Sequence, residues 1–460
     1  MQKVASLTVN APFDGSIIDE LPLTSAQEAE VLLERAYQLH RNRSRWLPKS
    51  QRRTVLAELR DKVESQLEPL ALQAAREGGK PLIDSRAELK RAVQGIDWAV
   101  GEIDRMSGET IPMGAHSKIA FTLPEPRGVV FALSAFNHPF NLIVHQVVTA
   151  VAAGCPVIVK PAAATPLSCR SIVQLLYDCD LPPEWCQMIV CSHEVTDKIA
   201  SDSRLAYLSF IGSAEIGWRL RSRLAPGVHC TLEHGGAAPV ILLDDFDLDE
   251  ALPKLVKGGY YHAGQVCVSV QRLFVPKDRL QQTAEALAGA ASRLVVGDPT
   301  DPATEVGPLI RPSEAVRVHE WLQDGGDIIC GGEAISSNCF APTVVVNPPK
   351  SARISEKELF GPAVALYSYD QIDEAIEEAN RPPFTFQAAL FGQSIGPILH
   401  TAQRLDAMSV MVGDHSAFRV DWMPFGGDRD SGLGVGGIPY TIKDLLREKL
   451  IVIDSKEISQ

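Results

Sequence analysis

Five short stretches of this sequence combine residue types that can work on a carbonyl group. Cys267 lies in YYHAGQVCVSVQR, after the Ala263-Gly264 break and just ahead of a strand-like run. A thiol is a good nucleophile for carbonyls because its thiolate is accessible near neutral pH. Glu233 opens the run E-H-G-G, where a carboxylate can sit at a tight turn beside a cavity and serve as a general base toward water. Asn137, in SAFNHPFNL, follows the apolar run GVVFAL, and from a strand's carboxyl end its amide can donate to a developing oxyanion. Lys160 ends CPVIVK ahead of Pro161, where a cation can meet a cofactor phosphate or ribose. The segment Gly212-Ser213-Ala214-Glu215-Ile216-Gly217 opens a helix after LAYLSF, and backbone amides at a helix start can cradle a pyrophosphate. Singly, each has a plainer reading. Most cysteines are small buried hydrophobes, an Asn before a proline turn is common, and a lysine at a strand end is usually solvated.

Positioning such groups takes more than one ordinary core. At 460 residues the chain is expected to form two or three domains, and its 45% apolar and 22% charged composition is that of a globular protein. No run approaches the roughly 18 apolar residues of a membrane span. The opening MQKVASLTVNAPFDGS has no apolar leader, so neither membrane insertion nor export is expected. Nine cysteines without a C-x-x-C pair suit a reducing cytoplasm and suggest no metal site. A net charge of -13 repels phosphate backbones, so nucleic acid is not an expected partner.

The first hundred residues read as mostly helical. Ser25-x-x-Glu28 has the form of a capping box before VLLERAYQLH, and a second helix runs from about Gln51 to Gly78-Gly79. From Arg127 the apolar runs GVVFAL, CPVIVK, CQMIV, LAYLSF and APVILL alternate with helix-like LIVHQVVTAVAA and LSCRSIVQLLY, the pattern of a parallel sheet covered on both faces. A second α/β series after Glu233 contains QRLFVP, DIICGG and TVVVN, with a helix at DRLQQTAEALAGAASRLV. The tail from about Asp414 is rich in Gly and aromatics before a final helix and the strand KLIVI. The expected fold class is α/β, with two doubly wound domains. A literal G-x-G-x-x-G at Gly432, Gly434 and Gly437 is set aside as a dinucleotide site, because neither a preceding strand nor a βαβ unit is expected there.

The order of the motifs is more telling than any one of them. F-N-H-P, K-P-x-x-x-T-P, F-x-G-S-x-E-x-G, E-x-G-G, G-Q-x-C, E-x-F-G-P and P-F-G-G together resemble the aldehyde dehydrogenase superfamily, from Gly78 through Ser431 to the last strand. The resemblance implies two doubly wound domains plus a small β oligomerisation arm. Residues 1–108 and 127–235 would bind the dinucleotide, 236–435 would carry the catalytic domain, and 109–126 with 436–460 would form the arm and C-terminal strand of a homodimer or homotetramer. It assigns the nucleophile to Cys267, oxyanion donors to Asn137 and the Cys267 backbone N–H, and the deacylating base to Glu233. Lys160 would touch the adenosine ribose, with Pro161 and Ala163 beside it. Ser213 would sit by the pyrophosphate between Gly212 and Gly217, Glu358 would hold the nicotinamide ribose, and Phe360 would lie against the ring. The implied reaction is NAD- or NADP-dependent oxidation of a small aldehyde to its acid through a Cys267 thioester. CoA-acylating relatives generally lack the glutamate, so Glu233 favours hydrolysis. A semialdehyde substrate and a non-redox thiol esterase are the alternatives, and Lys160, Ser213 and Glu358 speak against the esterase.

Three departures stand out. Where the family often reads K-P-S-E, Ala163 replaces the glutamate that disfavours a 2′-phosphate, so NADP is expected to be accepted alongside NAD. E-L-G-G has become E-H-G-G, which puts His234 beside the base. Near the C-terminus the usual G-x-E-G appears as Gly434-Val435-Gly436-Gly437. The stretch DHSAFRVDWMPFGG with VCVSVQR looks like the branch of lactaldehyde and phosphonoacetaldehyde dehydrogenases. Alignment on Phe425 places Arg419 in the loop that lines the aldehyde tunnel, with Phe136 also facing substrate. Arg419 would then recognise an anionic or hydroxylated tail, or else order the loop through Asp421.

Overall fold

A computed structural model describes residues 5–114, 118–455 and 457. Parts of the expected terminal and arm segments (1–4, 115–117, 456 and 458–460) lie outside the described residues. Five parallel strands form the first sheet, in the spatial order Cys186–Met188, Val157–Lys160, Val129–Leu133, Leu205–Ile211, His229–Glu233, with Gly432–Leu433 added antiparallel at the edge. Each strand is a continuous apolar run because both faces are covered. Val129 and Phe131 pack with Leu33 and Ile199 on one side, while Val130 and Ala132 pack with Leu56 and Ile96 on the other. The strand order reverses between Val129–Leu133 and Leu205–Ile211, which opens a crevice at their carboxyl ends.

The second sheet has seven strands, in the order Asp327–Cys330, Thr343–Val346, Ala363–Tyr369, Arg272–Pro276, Pro239–Leu242, Gln387–Phe391, Ser409–Val412. All pair in parallel except Asp327–Cys330, an antiparallel edge. A third sheet joins Leu446–Asp454 to Lys118–Pro126 and Thr110–Ile111. Among the described residues, no helix is long and apolar enough to cross a membrane.

Two features depart from the sequence expectation near the N-terminus. A hairpin of Ser6–Asn10 and Ile17–Pro22 precedes the first helix, Ala26–Arg41, which does carry the Ser25–Glu28 capping box. The stretch expected as one helix is two, Lys49–Ser65 and Leu67–Gly78, with Gly79 as a left-handed cap. Pro69 explains the break: its ring would collide with the Ser65 carbonyl in a continuous helix, but it fits the first turn of a new one. The run expected as the helix LIVHQVVTAVAA is interrupted by a π-helical segment, Val144–Val148.

The helix Leu82–Arg105 reaches the site through Glu88. Its carboxylate pairs with the fully buried Lys80 and accepts the backbone N–H groups of Phe140 (2.9 Å) and Asn141 (2.8 Å), which pins the loop that carries Asn137. Removing one member of a buried pair strands the other charge. Glu88→Ala is therefore expected to destabilise the fold by about 3–5 kcal/mol in urea unfolding. A loss below about 1 kcal/mol would contradict this account.

Candidate active site

The crevice between the two sheets is a cleft of about 650 Å³. Every sequence-nominated residue lines it except Pro161 and Gly217. Pro161 is buried behind the wall. Gly217 owes its identity to a neighbour, since a Cβ there would lie 2.0 Å from the His234 Nε2. Parallel strands deliver Asn137, Lys160, Gly212, Ser213 and Glu233 by their carboxyl ends. Leu133 leads into the Asn137 loop, Lys160 and Glu233 are terminal strand residues, and Ile211 leads into Gly212-Ser213.

Cys267 sits on a loop held in an unusual backbone shape. His262, Ala263 and Gly264 are consecutively left-handed, at φ 50°, 53° and 67°. Only the glycine adopts this region freely, so the other two store strain of about 1 kcal/mol or more each. A Cβ on residue 264 would also lie 2.2 Å from the Gly361 carbonyl oxygen, so the Cys267 loop is pressed onto the Glu358–Phe360 loop. Gln265 locks the turn. Its side chain donates to the His262 and Pro308 carbonyls and accepts from the Ile310 N–H at 2.9 Å. The Gln265 carbonyl accepts from Asn137 Nδ2 at 3.0 Å, tying the Asn137 loop to the Cys267 loop. Asn137 keeps a second amide hydrogen, and the Cys267 backbone N–H donates to no group among the described residues. Both are available as oxyanion donors. Burial, and next the Glu358 carboxyl, push the Cys267 thiol up to about 12, with Arg419 pulling it down.

Glu233 is likewise raised above the ordinary carboxylate range by burial, with Arg419 opposing. The rejected glycine run supports it from behind. Gly432 pairs with Glu233 in the sheet, and a Cβ on Gly436 would lie 2.3 Å from its Oε1. His234 turns away from the base: its Nδ1–H donates to the Asp430 carbonyl at 2.9 Å, and its ring packs edgewise on Phe210 and Trp218.

The remaining groups fit a dinucleotide. Lys160 has no acidic partner among the described residues, and Ala163 leaves the neighbouring wall uncharged. The Ser213 hydroxyl makes no capping bond to the helix Ala214–Arg221, so it and the first amides of that helix stay free to meet phosphate. Burial raises Glu358 to about 8, and its carboxyl accepts the Gly236 N–H at 3.1 Å. Phe136 lies edge-on between Phe360, at 5.9 Å, and His262, at 6.3 Å.

The Arg419 guanidinium stacks 3.5 Å over the Phe425 ring. Its Nε is 3.8 Å from Asp421, too far for a hydrogen bond. Asp421 is already occupied. It accepts two bonds from Arg91 (2.6 and 3.0 Å), one from Asn141 (3.0 Å) and one from His145 Nε2 (2.7 Å). Against the raising effect of burial, the His145 contact and the adjacent guanidinium groups keep Asp421 ionised. Arg91 and Asp421 are 330 positions apart and form no motif, so Arg91 was not legible as a site residue and Asp421 only as a partner for Arg419.

The raised thiol gives a direct check. With the cleft empty, burial keeps Cys267 in its thiol form near neutral pH. Alkylation of Cys267 by iodoacetamide, followed by peptide mass spectrometry, is expected to rise about tenfold per pH unit from 7 to 9. A plateau near pH 8 would contradict it.

Comparison with known proteins agrees with this geometry. Residues 2–451 match the family model described as the aldehyde dehydrogenase family. The 3-sulfolactaldehyde dehydrogenase of Priestia aryabhattai is 34% identical over 88% of this chain and 86% of its own length. Aldehyde dehydrogenase 21 of Physcomitrella patens, solved with its reaction product succinate, superposes with a TM-score of 0.94 at 30% identity, covering 99% of this chain and 96% of that one. The glyceraldehyde-3-phosphate dehydrogenase of Methanocaldococcus jannaschii, solved with NADP, gives a TM-score of 0.93 at 29% identity over 99% and 100% of the two chains. The chain belongs to the aldehyde dehydrogenase family, the NAD(P)-dependent oxidoreductases that convert aldehydes to carboxylic acids.

Proposed function

We propose that this enzyme oxidises a small aldehyde carrying an anionic tail, using Cys267 as nucleophile, Asn137 as oxyanion donor and Glu233 as deacylating base. The observation that carries the reading is the single cleft shared by these three groups and by Lys160, Ser213 and Glu358. Cys267 passes its proton to water in the cleft, and its sulfur adds to the aldehyde carbon. The oxygen becomes an alkoxide held by Asn137 and the Cys267 N–H. A nicotinamide dinucleotide held by Lys160, Ser213 and Glu358 would supply the acceptor for the hydride that leaves this carbon. The resulting Cys267 thioester is attacked by water, whose proton passes to Glu233, and the acid leaves.

Arg419 is the proposed contact for the tail. Asp421 is saturated by Arg91, Asn141 and His145, so the Arg419 charge remains available to a ligand in a desolvated wall. The anionic substrate in the name of the Priestia relative and the succinate bound to the Physcomitrella enzyme support the same reading. NADP is proposed to be accepted beside NAD because Ala163 presents no carboxylate to a 2′-phosphate, and the Methanocaldococcus relative binds NADP. Residues 1–108 with 127–235 are proposed as the dinucleotide domain and 236–435 as the catalytic domain. A homodimer or homotetramer through the Lys118–Pro126 and Leu446–Asp454 sheet is also proposed, because Leu450, Val452 and Ile453 are exposed apolar residues on its edge strand. Nine unpaired thiols support a cytoplasmic location.

Absorbance at 340 nm with NAD or NADP and a panel of aldehydes tests the chemistry. Cys267→Ala is expected to abolish reduction. Glu233→Gln is expected to give one burst of reduced cofactor per subunit followed by turnover at least about a hundredfold slower. A Glu233→Gln enzyme without a burst would remove Glu233 from deacylation. For the tail, Arg419→Gln is expected to lower kcat/KM on succinic semialdehyde by about a hundredfold and on butanal by less than about threefold. Equal losses on both would retire the anion reading.

A further inference from the structure

The turn Glu77–Lys80, at the end of the helix Leu67–Gly78, holds a buried carboxyl that the chemistry above does not use. Glu77 is fully buried and accepts from the Leu167 N–H at 2.7 Å, the Ser168 N–H at 2.8 Å and the Ser168 hydroxyl. Those two amides belong to the first turn of the helix Pro166–Tyr177, to which Thr165 supplies no side-chain cap. A carboxyl group from another helix caps it instead, and the positive end of the helix favours the ionised form. Lys160, Pro161 and Ala163 lie in the few residues just before that helix, so the cap also anchors the proposed cofactor loop.

The same turn touches two further loops of the site. A Cβ on Gly78 would lie 3.4 Å from the Thr165 side chain and 3.7 Å from the Phe136 carbonyl oxygen. Lys80 pairs with Glu88, which pins Phe140 and Asn141. A Cβ on Gly79 would lie 3.2 Å from the Pro308 carbonyl oxygen, which also accepts from Gln265. Four consecutive residues therefore meet the Lys160 loop, the Asn137 loop and the segment that holds Gln265.

We infer that Glu77 is a positioning residue for the dinucleotide: ionised, it holds the start of Pro166–Tyr177 and sets the Lys160–Thr165 loop in its binding shape. When it is protonated, one of its oxygens becomes a donor, a donor of the first helical turn loses its acceptor, and the loop slackens. This rests on the cofactor role proposed for Lys160. Burial pushes Glu77 up to about 7, against the pull of Ser168 and Leu167, and Glu88 raises it further. Cys169 faces it from the capped helix and keeps its proton, because burial holds it well above the thiol range. Lys80 is lowered by burial and held up by Glu88. Glu77 therefore changes charge near neutral pH, and cofactor binding weakens as pH falls through that point.

The Kd for NADH or NADPH, read by fluorescence with no aldehyde present, tests this. In the unaltered enzyme it is expected to rise about five- to tenfold from pH 8 to pH 6, since only the ionised form supports binding. Glu77→Gln is expected to remove that rise and to bind at pH 8 about as weakly as the unaltered enzyme does at pH 6. Ser168→Ala keeps the carboxyl and serves equally if Glu77→Gln fails to fold. By removing a bond that favours the ionised form, it is expected to move the midpoint up by about one pH unit. A flat profile in the unaltered enzyme, a rise that survives Glu77→Gln, or a midpoint unmoved by Ser168→Ala would overturn the inference and leave the Cys267 chemistry standing. Binding of neither nucleotide at pH 8 would remove the cofactor reading and this one with it.

Discussion

Desolvation of charge is the constraint around which this cleft is organised. Cys267, Glu233 and Glu358 face one space, and burial raises all three. In a dry pocket each neutral form is favoured, so Cys267 rests as a thiol, the less reactive form. The opposing influence is Arg419, which lowers both Cys267 and Glu233. One side chain thus faces the proposed tail and also biases the reacting groups. The identity of the ligand at Arg419 is therefore coupled to the chemistry at sulfur.

That Arg419 remains available depends on a second buried arrangement. Asp421 could have neutralised it, but its lone pairs are taken by Arg91, Asn141 and His145, which come from helical segments of the other half of the chain. Two guanidinium groups share one carboxylate, with the histidine held neutral by burial. The local excess of positive charge is the electrostatic mark of the cleft.

Backbone geometry supplies the precision. Three left-handed residues before the nucleophile are held by Gln265, whose carbonyl also receives the Asn137 amide. The Asn137 loop follows a strand of the first sheet and the Cys267 loop leads into the second, and this bond ties the two. The glycine run near the C-terminus serves the same end. Its pattern is that of a phosphate loop, yet it packs on the far side of Glu233, where an added Cβ at Gly436 would collide with the carboxylate.

Much of this could be read in the chain by itself. The apolar runs that become parallel strands, the capping box at Ser25 and the left-handed cap at Gly79 follow from local pattern, because periodicity and backbone permissiveness act over a few residues. The motif order identified the family. The side chains it singled out line one cleft: Lys160 and Glu233 do so because they end strands whose position the sheet dictates, whereas Cys267 and Glu358 stand on loops. The break at Pro69 was also present in the sequence as a local signal. Only the tertiary structure decided the rest. The saturation of Asp421, the turning of His234 toward Gly217 and the use of the glycine run behind Glu233 join residues from distant parts of the chain. Such contacts leave no spacing to read, since burial and the competition for lone pairs exist only once the two sheets have closed on each other.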